Sequence, residues 1–367
     1  ANNDAITFGG GDNQITNTSS GVLNLSSSNS TPLDWAGVAN SQASLNNAGT
    51  LQLTVSGSHG FNSAINFNNT GMVKANAGHL VLTVDGSDYG NYHAAESAMI
   101  SFTSGLRRFN DDTNFSGEGV IKLDGATFSI DNDLLINSSI NIGTNPTGSL
   151  TLAKGTLTGV GTLTTKGLIQ IGDDLAGSVA LNLTGGFDWV NTGELVLGGD
   201  DYISFAEGAN KFTNTSSGKL NLSTSYAAPL ASVGSTGSQV IIANAGVINK
   251  TAGNTHLISG NTTFNNSGTV NVYTGNLTIG VGGNESGTYY TTVGTTIEFS
   301  GGSRNIIGDV NFTGVGSSLI SGSVFDTQHN FSINNATALN VSSGGFSGDF
   351  SLSISGDLNI TGSSTFS

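Results

Sequence analysis

The sequence predicts an all-β chain folded as a parallel β-solenoid, and three observations carry that expectation. A long segment occurs twice. A short Asn–Gly motif recurs at about the length of one solenoid coil. The apolar residues beside that motif alternate so that only one side of each strand is apolar.

The long segment runs FGGGDNQITNTSSGVLNLSSSNSTPL from Phe8 to Leu33. It returns as FAEGANKFTNTSSGKLNLSTSYAAPL from Phe205 to Leu230, an offset of 197 residues. The same offset relates Asn47-Ala48-Gly49 to Asn244-Ala245-Gly246, and Phe102, Phe115 and Phe128 to Phe299, Phe312 and Phe325. Further on, Gly155, Leu163, Gly167 and Ile171 match Gly344, Leu352, Gly356 and Ile360 at an offset of 189, so the second copy has lost about eight residues. The chain therefore reads as two tandem copies, residues 1–197 and 198–367, in one continuous rod without a flexible linker.

Within each copy the motif reads NTSSGVLNL, NNAGTLQLTV and NNTGMVKA, then NTSSGKLNL, NAGVIN and NNSGTVNV. The glycines at 21, 49 and 71 are 28 and 22 residues apart, and those at 218, 246 and 268 keep both intervals. A coil of about 22 residues gives about sixteen coils, each stacked about 4.8 Å from the next. A right-handed helix is expected, because strand–crossover–parallel-strand connections overwhelmingly have that hand.

Comparing the copies separates inside from outside. Leu23 and Leu25 become Leu220 and Leu222, whereas Val22 between them becomes Lys219. Val73 and Ala75 become Val270 and Val272, whereas Lys74 becomes Asn271. Leu23, Leu25, Val73, Leu80, Leu82, Leu220, Leu222, Val270, Leu277 and Ile279 are thus expected to point inward. Leu53 departs from the rule by becoming Lys250, which places that lysine at a strand end or snorkelling at the rim. HAAESAMISF (93–102) suggests a helix, but its counterpart YTTVGTTIEF (290–299) is rich in Thr with a central Gly, so both are read as strands. No significant helix is expected. A row of β-sandwich domains is the alternative, and it requires antiparallel hairpins with turns every ~8–12 residues.

Composition narrows the function. Low charge with regular apolar spacing argues against disorder. The 54 glycines follow no three-residue period, which excludes collagen. The chain has no cysteine, hence no disulfides, thiol chemistry or Cys-based zinc site. A net charge of −15 disfavours nucleic acid and anionic membranes. No apolar run reaches the ~18 residues of a membrane helix. No signal peptide opens the chain, which reads as a mature or excised segment.

The N-x-G coils, with GTLTGVGTLTTKG (155–167) and FNNSGTVNVYTGNLTIG (264–280), resemble the repeats of large secreted bacterial β-helical surface proteins. These include filamentous-haemagglutinin-like and autotransporter-type adhesins. The likeness covers nearly the whole chain and rests on compositional motifs. It implies an extracellular or cell-surface stalk, adhesin or matrix fibre and no particular ligand; surface glycans or other cells are the candidate partners beside the chain itself.

β-Helices also carry polysaccharide lyases and hydrolases, so acid–base chemistry has to be weighed. The carboxylate candidates are Asp111-Asp112, Asp131-Asn132-Asp133, Asp173-Asp174 and Asp200-Asp201. Asp131 and Asp133 become Gln328 and Asn330, and Asp111 becomes Gly308, so no acidic site is kept as a unit in both copies. Solvated turn carboxylates are the expected reading. His59/His256, Tyr92/Tyr289 and Arg107/Arg304 do persist. The arginines suit turn carbonyls at a rim better than a lyase's basic group. The histidines lack a second ligand at metal spacing. Trp35 and Trp189 have no Trp at the repeat offset, and each is a sugar platform or a loop anchor. No catalytic, cofactor-binding or metal-binding residue is assigned, and no enzyme activity is expected.

No polar capping helix is legible at either terminus, whereas solenoid ends need covering. A window on a longer array, or a subunit stacking on itself head to tail, is the expectation. The function expected is a non-enzymatic structural or adhesive repeat protein, with a β-helical polysaccharide lyase or hydrolase as the alternative.

Overall fold

The computed structural model describes residues 2–110, 113–130, 134–136, 149–171, 177–178, 180–327, 329, 331–335 and 338–367. By internal contacts the chain forms two compact units, Ala1–Gln170 and Ile171–Ser367. The repeat boundary at residue 197 falls inside the second unit.

The described residues form a parallel β-solenoid of about 13 turns, with no helix. Sixteen turns were expected from a uniform coil, and the coil is not uniform. In the first unit the step is 30 residues from Asn17 to Asn47, 22 to Asn69 and 19 to Asp88. In the second unit the steps from Asn214 through Asn244 and Asn266 to Glu285 are again 30, 22 and 19. The surplus of the long coils sits in turns, so the register of the strands is unaffected.

Each coil carries three short strands. In the first unit Asp12–Asn17, Val22–Leu25 and Leu33–Trp35 are followed by Gln42–Asn47, which pairs in parallel with the first, and Thr50–Leu53, which pairs with the second. In the second unit Tyr202–Phe205, Ala209–Asn214 and Lys219–Leu222 are followed by their parallel partners Leu230–Ser232, Gln239–Asn244 and Val247–Lys250.

Alternate residues of these strands are buried, as in Thr50–Leu53, Met72–Ala75 and Thr269–Val272. The inward residues stack into ladders such as Leu51–Val73–Tyr92–Phe115 and Leu220–Ile248–Val270–Tyr289–Phe312. Fully burying one such side chain contributes about 1.5–3 kcal/mol, so the ladders dominate the stability. Nine of the ten expected inward residues are buried. Leu23 shares the inward register of Leu51 but is less covered than the rest. It is half-buried, because its one ladder neighbour is Leu51 and its other side lines an open hollow of about 530 Å³ with Ile6, Leu25, Pro32 and Leu33.

The N-x-G motif has a packing reason. The inward Asn side chains form a ladder, Asn17 Nδ2 donating to Asn47 Oδ1 at 2.7 Å and Asn47 Nδ2 to Asn69 Oδ1 at 2.9 Å. In the second unit Asn191, Asn214, Asn244 and Asn266 repeat the pattern at 2.8–2.9 Å. The following glycines lie against the carbonyls of the previous coil: a Cβ on Gly49 would sit 2.3 Å from the Gly21 oxygen, and one on Gly246 would sit 2.2 Å from the Gly218 oxygen. Here the glycine is required by close approach rather than by an unusual φ.

The segment at 93–102 is strand, as expected. Asn91–Ala94 and Met99–Phe102 flank a turn in which Ser97 is left-handed at φ 63°. Gly294 takes its place in the second copy at φ 76°. A left-handed residue is incompatible with a continuous helix, and glycine adopts it without steric cost.

Candidate functional site

Among the described residues, a cluster of charged and hydrogen-bonding side chains lies inside the coils. In both units the inward Asn ladder ends on an acid. Asp88 follows Asn69 in register, and Glu285 follows Asn266. On the next coil Arg107 lies in register with Gly86, and Arg304 with Gly283. Both acids and both arginines have 0% exposure.

In the first unit the guanidinium of Arg107 donates from Nη2 to both Asp88 oxygens at 2.7 Å and from Nε to Oδ2 at 3.0 Å. Its Nη1 donates at 2.6 Å to the carbonyl of Phe67, two coils back, and the group lies 5.3 Å from the Phe67 ring. The Tyr92 hydroxyl donates to Asp88 as well. In the second unit Arg304 pairs with Glu285, donates to the carbonyls of Val281 at 2.9 Å and Phe264 at 2.7 Å, and lies 5.7 Å from the Phe264 ring. The Tyr289 hydroxyl donates to Glu285 at 2.6 Å.

Glycine opens the passage for each arginine. A Cβ on Gly86 would stand 1.8 Å from the Phe67 oxygen and 2.6 Å from Arg107 Nη1, and one on Gly283 would stand 2.0 Å from the Phe264 oxygen. With no Cβ the arginine reaches past its neighbouring coil. Burial pushes the Asp88 carboxyl upward, and the Arg107 guanidinium and the Tyr92 hydroxyl draw it back. Burial also holds the Tyr92 phenol well above its usual range, so it stays a donor at neutral pH.

The rim position expected for Arg107 and Arg304 is thus corrected. They do bond carbonyls, but inside the solenoid, where a guanidinium must bring its counter-ion. The acids were missed because the copies differ there, Asp in one and Glu in the other. The signal was present as two acids at one repeat offset beside an invariant pair of glycines, Gly86 and Gly283.

The remaining candidates lie apart. Lys250 ends the strand Val247–Lys250, as one reading allowed, but it is fully buried rather than snorkelling. Its Nζ donates to the carbonyls of Ala252 at 2.5 Å and Thr274 at 3.1 Å, and burial lowers it to about 8. His256 is buried with Nε2 2.9 Å from the Thr224 carbonyl, its Nδ1 has no partner, and burial lowers it to about 4. His59 sits at the equivalent place, its ring nitrogens 2.7 and 3.0 Å from the carbonyls of Asn29 and Ser56. Trp189 is neither platform nor loop anchor: it is fully buried in the strand Asp188–Asn191, its ring 5.7 Å from Phe212. Trp35 is half-buried at the end of Leu33–Trp35.

Among the acidic candidates, Asp201 is buried and Asp200 half-buried. Asp111-Asp112, Asp131-Asn132-Asp133 and Asp173-Asp174 lie outside the described residues, as do Gln328 and Asn330. Among the described residues no group of three or more His, Cys, Asp or Glu side chains is placed to hold a metal ion. No model of a known protein family, no curated protein and no solved structure matches this chain.

Proposed function

We propose that this chain is a non-enzymatic structural or adhesive segment of an extracellular or cell-surface protein of bacterial type. The observation that carries the reading is where the persistent charged residues are. Arg107 and Arg304, which a lyase would need facing its substrate, are fully buried and already paired with Asp88 and Glu285. A catalytic group must reach the reacting atoms, and these groups are closed off by their own coils.

The adhesin resemblance supports the same reading through the solenoid fold and the Asn–Gly coils. The lack of cysteine and the low charge suit a long repeat that holds together by stacking. Self-association end to end belongs to this proposal. A stack of parallel coils pairs each strand with the coil above and below, and a second copy offers strands of the same kind. Sedimentation over a range of concentrations checks this part: growing species are expected, and one monomeric species throughout would remove it.

The non-enzymatic reading is checked by incubation with pectin and alginate, following the absorbance of unsaturated products. No release is expected. Release that an Arg107 or Arg304 substitution abolishes in a still-folded protein would replace this reading with a polysaccharide lyase.

A further inference from the structure

We infer that the second unit carries a binding face for an extended neutral polysaccharide, built from two tyrosine pairs and a column of asparagine amides. The inference rests on the adhesive reading and names the class of ligand.

Four tyrosines of this unit are at least partly exposed: Tyr202, Tyr226, Tyr273 and Tyr290. At the repeat offset the first copy has Ala5, Asn29, Asn76 and His93. The buried Tyr92 and Tyr289, by contrast, are kept. The first copy builds the same coils without the four rings, so the fold does not require them.

The rings are arranged in pairs on adjacent coils. Tyr202 and Tyr226 stack at 4.0 Å between centroids, with planes 7° apart. Tyr273 and Tyr290 meet edge to face at 6.2 Å. Tyr226 follows the strand Lys219–Leu222, and Tyr273 follows Thr269–Val272, two coils further on. The two pairs are therefore about 10 Å apart along the stack.

The same coils carry an amide column. Asn221, Asn249, Asn271 and Tyr290 are in register on one outward face. Asn249 Nδ2 donates to Asn221 Oδ1, and Asn271 Nδ2 to Asn249 Oδ1, each at 2.9 Å. Asn221 Nδ2 donates to Glu194 Oε1 at 2.5 Å. Each ladder bond uses one of the two N–H groups, which leaves a second donor per amide half-exposed at every coil.

This combination matches a pyranose chain. Aromatic faces cover the apolar C–H faces of sugars, and amides bond their hydroxyls. The coil rise of about 4.8 Å is close to the length of one sugar in an extended β-1,4-linked chain, so the amides and the sugars keep step. A net charge of −15 selects against acidic polysaccharides.

The test is retention of the full chain on microcrystalline cellulose and on chitin, with alginate gel as the acidic comparison. Soluble sugar is measured in the same suspensions. Retention on cellulose or chitin is expected, the two arms showing which sugar is preferred. Y202A/Y226A and Y273A/Y290A should each weaken it about tenfold or more, with unfolding transitions like the parent's. Tyr89→Ala, at the 48% exposed tyrosine of the first unit, should leave retention unchanged. No retention of the parent, retention on alginate alone, or equal retention of the paired variants overturns the inference. Release of soluble sugar fails the non-enzymatic reading instead, whether or not the protein is retained.

Discussion

The buried charge clusters of the two units are built on one plan with one methylene of difference. With Asp88, the Arg107 fork closes on the carboxylate through Nε and Nη2 and still reaches the Phe67 carbonyl. With the longer Glu285, Arg304 keeps Nη2 on the acid and spends Nη1 on the Val281 carbonyl, and its Nε is left without a partner. Both plans keep the tyrosine donor, the glycine passage and the phenylalanine under the guanidinium. The difference shows that the interior tolerates a change of acid length as long as the acid is present, because the penalty for an unpaired buried guanidinium exceeds that for one lost hydrogen bond.

Removing the arginine is the strongest way to break this comparison. Arg107→Ala and Arg304→Ala should each cost about 3–5 kcal/mol in denaturant unfolding, since each strands a buried carboxylate. D88L/R107M should recover most of that loss, because an apolar pair of similar volume replaces the ion pair. A much smaller loss for Arg304→Ala would mean that the Glu285 cluster contributes less than its counterpart.

The Asn ladder is the next target. Asn47→Ala and Asn244→Ala sit at equivalent ladder positions, and each should cost about 1–3 kcal/mol by orphaning buried amides and carbonyls of neighbouring coils. Equal losses would support one shared design. A neutral Asn244→Ala would locate the second unit's stability in its aliphatic ladders alone.

A third comparison sets Leu53 against Lys250. Both side chains are fully buried at equivalent places. Lys250→Leu should stabilise the second unit by about 1–2 kcal/mol at neutral pH, by removing a buried ammonium held only by carbonyls. Lys250 is lowered to about 8 from its ordinary 10.5, so the unfolded chain binds more protons between those values. Stability should therefore rise as pH rises through that window in the parent, and stay level there in Lys250→Leu.

The smallest effect is expected on the acid side. His256 is lowered to about 4 from 6.5, so the unfolded chain again binds more protons between those values. Stability should fall as pH falls through that window, and His256→Gln should flatten this part of the profile. An unchanged slope would show that carboxylates alone set it.

Much of this organisation was legible in the chain before any coordinates. The drift of Val22 to Lys219 beside the retained Leu25 and Leu222 marked the wet and dry sides of the strands correctly. The Gly294 counterpart of Ser97 correctly argued against a helix. The charge cluster was read only in part. Tyr92 and Arg107 were singled out, but Asp88 was not, because matching by identity passes over an Asp that becomes a Glu.

The sequence by itself determined the repeat, the strand periodicity and the inward side, because these depend on local alternation and on residues compared at a fixed offset. Tertiary structure decided which residues meet between coils. Asp88 and Arg107 meet because the coil between them is 21 residues long, which sets Arg107 beside Gly86 and Phe109 beside Asp88, where other coils take 19, 22 or 30. Coil length is set by how each turn packs over the one before it. The same holds for Gly86, which local sequence marks as a turn residue but which serves as an opening. Its role depends on the Phe67 carbonyl one coil back and the Arg107 side chain one coil ahead, and stacking alone brings those three together.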